Sequence, residues 1–178
     1  MKWIIPFVAA SPVWAQDCPT PTDYSAELAL TVERLQATSD AQEAAPYTQM
    51  LWEMWLDAPD QQAQDLLDEG MRRRETMDFL GARVVLDQLV AYCPDYAEGY
   101  NQRAFASFLA RDYEAALADL DRAIALIPNH IAALSGRGMT LLGLGREDEA
   151  NASIRAALAL NPWLAERALI TTPEGVDI

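Results

Sequence analysis

The sequence predicts an all-α chain, an α-solenoid of stacked helix-turn-helix hairpins. Pro94, Pro128 and Pro162 recur at an interval of 34 residues, a period that marks arrays of helical hairpins. Small and apolar positions keep the same register: Ala82, Ala116 and Ala150, then Leu86, Leu120 and Ile154, then Leu89, Ala123 and Ala157. Asp78-Phe79 and Asp112-Tyr113 add a third in-register feature, in the turn between the two helices of a unit.

At the amino terminus, residues 1–15 place one lysine before a short apolar run that ends at Val13-Trp14-Ala15. This is a secretory signal pattern, with cleavage expected after Ala15 and a periplasmic or secreted bacterial protein as the product. An uncleaved anchor is the alternative, although Pro6 and Pro12 break a run already too short to span a bilayer. Asp17 before Cys18 argues against a lipoprotein signal.

Residues 16–62 read as an extended amino terminus and a helical hairpin. Leu28, Val32 and Leu35 give helical spacing to the stretch Ala26 to Ala37. Ser39 and Gln42 suggest a capping box for a second helix reaching about Asp57. Pro46 sets its start or a kink, and Trp52 and Trp55 are packing anchors. This hairpin lacks the periodic columns, as a divergent cap of an array does.

Three units follow, 63–96, 97–130 and 131–164. In each, a first helix of about fourteen residues carries a small residue (Gly70, Ala104 or Gly138) and faces the periodic alanine of the second. Small side chains there allow close helix approach. The terminal proline lacks the N–H of a helix interior and resets the chain. The glycines, alanines and prolines together with Tyr100 resemble the tetratricopeptide repeat family, over residue 63 to about 170. The family's leucine is replaced by Glu69, Arg103 and Arg137, and its second aromatic by Arg73 and Ser107. Residues 165–170 read as a short capping helix, halted by Pro173, and 171–178 as a tail.

The resemblance implies that a protein or peptide segment is bound in a concave groove lined by the first helices. By offset, the groove-facing residues are Leu67, Asn101 and Ser135, then Met71, Phe105 and Met139, then Arg74, Phe108 and Leu142, and then Gln64, Glu98 and Ala132. Methionine and aromatic side chains make an adaptable apolar strip. The alternatives are that these side chains are internal packing, or that the amino-terminal hairpin covers them. The lysines with which some family members clamp a terminal carboxylate are missing, because Lys2 is the only lysine.

Composition restricts other functions. Asp and Glu number 27 against 13 Lys and Arg, a formal net charge of −14, which opposes nucleic-acid binding. Arg72-Arg73-Arg74 is flanked by Asp68, Glu69 and Glu75, and reads as an ion-paired helix face or, less simply, as a contact for an acidic partner. His130, the single histidine, reads as a turn or surface residue. No nucleophile–base pair, phosphate loop or metal-spaced cluster is evident, so no catalytic residue, metal or cofactor is expected. Cys18 and Cys93 are the only cysteines. In an oxidising compartment they point to one disulfide, with two free thiols as the alternative. The function expected is a non-catalytic adaptor, serving for example envelope assembly. A self-associating homo-oligomeric module, or an accessory subunit, is the alternative.

Overall fold

A computed structural model of the chain describes residues 17–170. The segment 1–15 read above as a secretory signal and the 171–178 stretch read as a tail lie outside the described residues. An extended segment, 17–24, leads into α1 (Ser25–Gln36) and α2 (Ala41–Trp55). Three hairpins follow: α3 (Gln61–Glu75) with α4 (Phe79–Tyr92), α5 (Ala97–Leu109) with α6 (Tyr113–Leu126), and α7 (Ile131–Gly143) with α8 (Glu147–Leu160). Ala165–Leu169 closes the described chain as a five-residue 3₁₀ turn, tighter and shorter than the closing helix suggested by the sequence.

The periodic residues act as their spacing implies. Ala82, Ala104, Ala116 and Ala150 are all fully buried, as are Leu89, Ala123 and Ala157. A Cβ on Gly70 would stand 2.6 Å from Leu86 Cγ, and one on Gly138 would stand 2.4 Å from Ile154 Cγ1. The first and second helices therefore meet at a distance that only a missing side chain permits.

Side-chain caps start most helices. Asp60, Asp78 and Asp112 accept the backbone N–H of Ala63, Gly81 and Ala115. Such caps satisfy donors that the helix cannot. In α2 the cap is Asp40 rather than Ser39: Asp40 accepts from Glu43 N, and Glu43 reaches back to the Ser39 N–H. The capping box is thus displaced by one residue, because Glu43 and not Gln42 has the geometry to return. The helix runs through Pro46.

Each first helix ends in the same left-handed turn. Asp78, Asp112 and Arg146 donate their N–H groups 2.9 Å to the carbonyls of Arg73, Ser107 and Leu141. The pivots are Met77 at φ 63°, Arg111 at φ 61° and Gly145 at φ 73°. Only the third uses the residue that tolerates this conformation freely. Replacing Arg111 with glycine is expected to raise unfolding stability in urea by about 0.5–1 kcal/mol.

The departures from the family pattern have a structural role. Arg103 donates to Asp119 on α6 and, at 2.8 Å, to Asp87 on α4. One period later Arg137 donates to Asp121 on α6 at 2.7 Å. Arginine in place of leucine thus ties each first helix to the second helix of the preceding hairpin. Arg72 and Arg73 pair with Glu69, and Arg73 also with Asp78, the ion-paired face expected for them.

The amino-terminal hairpin does not extend the stack. Its Leu28, Val32, Leu35, Leu51 and Trp55 share a core with Ile131 and Ala157 of the last repeat, and Leu160, Trp163 and Leu164 pack on it. Gln36 Nε2 donates 2.6 Å to the carbonyl of Ala159, and Trp163 Nε1 donates 2.8 Å to Thr38 Oγ1. Cys18 is bonded to Cys93 at the end of α4, which pins the extended segment to the first repeat. The hairpin therefore crosses from the first repeat to the third, a placement that differs from an end cap. An isolated apolar stripe specifies that a face is buried, not what buries it.

A half-open cavity on the concave face

The first helices of the repeats and the crossing hairpin enclose a cavity of about 440 Å³. Met71 and Arg74 come from α3, and Phe105 and Phe108 from α5. Ser135 and Met139 come from α7, and Thr48, Trp52 and Trp55 from α2. Of the residues predicted to face the groove, Met71, Arg74, Asn101, Phe105, Phe108, Ser135 and Met139 line it, as does Ala132. Leu67, Glu98 and Leu142 do not line it. Leu67 is fully buried between α3 and α4, with Ala82 and Leu86. Gln64 is occupied locally, accepting from Ala58 N and donating to Asp68. Trp52 and Trp55 meet edge to face at 5.4 Å and serve as the packing anchors expected of them.

The mouth and the floor differ. At the mouth Phe105 is 41% exposed, and the Arg74 guanidinium lies over its ring at 4.6 Å. Arg74 also donates to Gln102 Oε1. Burial pushes the Arg74 guanidinium down from its ordinary value, with Glu75 and Glu98 acting in the opposite sense. Phe108 is half-buried and tilted against Tyr113 at 5.6 Å, so it serves the core as much as the groove.

Behind the wall lies a polar network that corrects two expectations. Glu98 is buried rather than groove-facing, and His130 is fully buried rather than a turn or surface residue. Glu98 accepts from Asn101 and Gln102 on its own helix, and its Oε2 lies 2.9 Å from His130 Nε2. The other imidazole nitrogen accepts the N–H of Ala133 and so caps α7. Trp55 stacks on the imidazole at 4.2 Å. The spacing held a signal for this. Glu98 follows Ala97 and His130 precedes Ile131, so both sit at the heads of first helices that are adjacent in the stack. Next to them Tyr96 donates 2.8 Å to the Trp55 carbonyl, and burial pushes its hydroxyl up from the ordinary tyrosine range.

Three buried polar atoms have no hydrogen-bond partner among the described residues: Trp55 Nε1, Ser135 Oγ and Thr140 Oγ1. All three belong to residues that line this one cavity. Among the described residues no cluster of His, Cys, Asp and Glu has metal-binding geometry, and no helix is long and apolar enough to cross a membrane.

No protein-family model matches the chain. Over 116 residues it is 35% identical to Tetratricopeptide repeat protein 36 of Xenopus tropicalis, covering 62% of this chain and 56% of the frog protein. A TPR repeat-containing protein of Rhizobium etli is 33% identical over 79 residues, 44% of this chain and 36% of that protein. The chain thus spans about half or less of these curated relatives. Among solved structures, the first TPR of Spaghetti (RPAP3) bound to an HSP90 peptide superposes with a TM-score of 0.60 and 24% identity, over 62% of this chain and 88% of that one. The second TPR domain of human RPAP3, in complex with an HSP70 peptide, gives 0.58 and 25% identity, over 61% and 90%.

Proposed function

We propose that this chain, a tetratricopeptide-repeat solenoid, is a non-catalytic interaction module that docks a segment of another protein at the mouth of its concave face. The observation that carries the reading is Phe105, a large aromatic left exposed on a first helix with Arg74 laid over it, beside Met71 and Met139. An exposed aromatic next to a cation and adaptable methionines is the composition of an interaction hot spot. Both RPAP3 domains were solved with peptides, which supports a peptide as the ligand class here. The hairpin narrows the trough, so the docked segment lies along the rim formed by α3 and α5 and enters the cavity with its side chains. The signal-like first fifteen residues and the Cys18–Cys93 bond support an exported protein acting in an oxidising compartment, for example in envelope assembly.

The test is a selection of displayed random peptides on the full chain, followed by titration of the winners. Phe105→Ala removes the ring and leaves Arg74 bonded to Gln102. It is expected to weaken the selected peptides by about tenfold or more while leaving the helical circular-dichroism melt in place. Peptides that bind the variant equally well would sink the assignment of the mouth.

A further inference from the structure

One cation at the mouth has no counterion of its own. Arg74 is half-buried beside the cavity, bonds Gln102 Oε1 and lies over Phe105, yet among the described residues no carboxylate pairs with it. Every other described arginine either meets a carboxylate, as Arg72, Arg83 and Arg103 do, or stands exposed to water, as Arg34, Arg111 and Arg155 do. In a chain with 27 acidic residues and 13 basic ones, a partly desolvated guanidinium without an acid is the exception. Burial acts against its charge, and Glu75 and Glu98 attract it without bonding to it. A charged group that has lost hydration gains most from a partner of opposite sign.

We propose that Arg74 selects the docked segment by taking a single side-chain carboxylate, carried beside a bulky apolar residue that enters the cavity lined by Met71, Phe108 and Met139. This assignment deepens the peptide-docking reading and rests on it. A guanidinium holds five N–H donors in a planar fork, and Gln102 engages one of its nitrogens. The rest of the fork matches the two coplanar oxygens of a carboxylate. The Phe105 ring and the Gln102 oxygen hold the guanidinium in place before a ligand arrives, which lowers the cost of binding. A phosphate fits less well, because its second charge would find no second cation. Among the described residues Arg74 is the one basic residue that lines the cavity, and Glu166 lines it too. The carboxylate belongs to a side chain and not to a chain end. A chain end drawn into the trough would need further donors, and the amides on the wall, Asn101 and Gln102, already donate to Glu98. A side chain at the rim keeps its remaining lone pairs in water.

The probe is a library of twelve random residues displayed with the carboxyl end fused to the carrier, so that no free chain end is offered. Selection on the full chain is expected to enrich segments that place one Asp or Glu next to Phe, Leu, Ile or Trp. The direction of that bias is diagnostic, since non-specific attraction to a chain of net charge −14 would enrich Lys and Arg. Changing the acidic residue of a selected peptide to its amide is expected to weaken binding to the parent chain about tenfold. Against Arg74→Gln the same change is expected to matter less than about twofold. If Arg74→Gln does not fold, Arg74→Lys, which keeps the charge and loses the fork, takes its place and is expected to show an intermediate coupling. Winners rich in Lys or Arg, or apolar winners without an acid, would overturn the proposal. If Phe105→Ala still abolishes those winners, docking at the mouth stands without it. Equal loss from the amide change in the parent and in Arg74→Gln would place the carboxylate elsewhere and overturn it as well. So would a peptide that tolerates the amide change once it is made with a free carboxyl end, which would assign Arg74 to a chain terminus. Failure to select any peptide would sink both readings.

Discussion

Replacing Glu98 with alanine is expected to cost about 3–5 kcal/mol of unfolding free energy. The side chain is buried, and both carboxylate oxygens are used: Asn101 and Gln102 donate to it, and His130 lies 2.9 Å away. Truncation leaves the imidazole, fully buried and stacked under Trp55, without its partner on that side. Desolvation is what makes the loss large, since an exposed pair of the same chemistry contributes at most about 1 kcal/mol. For a chain of this length the loss corresponds to a fall of roughly 10 °C or more in Tm. Glu98→Gln keeps the shape and one acceptor oxygen and should lose less than half as much. Equal melting of Glu98→Ala and the parent chain would show that the network contributes nothing to stability. Thermal melts of the three proteins, followed by circular dichroism, decide the matter.

Reduction of the Cys18–Cys93 bond is the second large effect. The bond closes a loop with a sequence separation of 75, for which loss of the constraint on the unfolded chain corresponds to about 4.5 kcal/mol. The loss should not spread evenly. Cys18 holds the extended segment that leads into α1, whereas α3 to α8 retain their ladder of periodic contacts. Amides of α1 and α2 are therefore expected to exchange with deuterium well before those of α5 to α8 once the bond is reduced. The Cys18→Ser, Cys93→Ser double variant should behave in the same way. Uniform acceleration across all eight helices would mean that the hairpin and the array unfold only as one unit.

The repeat array was legible because each column is dictated by the same constraint three times over. A small residue is needed where two helices touch, and Gly70, Ala104 and Gly138 supply it in register. The disulfide followed from an even cysteine pair, and the apolar mouth of the groove from the offsets of Met71, Phe105 and Met139. What the offsets could not convey was depth. Glu98 and Phe105 lie on the same concave side of α5, yet one is buried and the other 41% exposed, because the crossing hairpin covers the amino-terminal part of that face and leaves the rest open. His130 was misread for the same reason. Its place after Pro128-Asn129 is a turn by local chemistry, and only the arrival of Trp55 from a distant helix makes it core. The unpartnered atoms of Trp55, Ser135 and Thr140 leave no trace in the sequence, since each residue type is ordinary in a helix.

The bonds from Gln36 to Ala159 and from Trp163 to Thr38 join residues 123 and 125 positions apart. An ordinary solenoid is a one-dimensional chain of nearest neighbours, in which a unit can be duplicated or deleted without consequence for those further away. Here the two ends are fastened to each other. An inserted hairpin would pull Ala159 away from Gln36, and a deleted one would bring the ends into collision. The number of repeats is therefore fixed by closure rather than free to drift in evolution. Folding of this chain has to await contacts of high sequence separation, which makes it slower and more cooperative than an open array of the same helices.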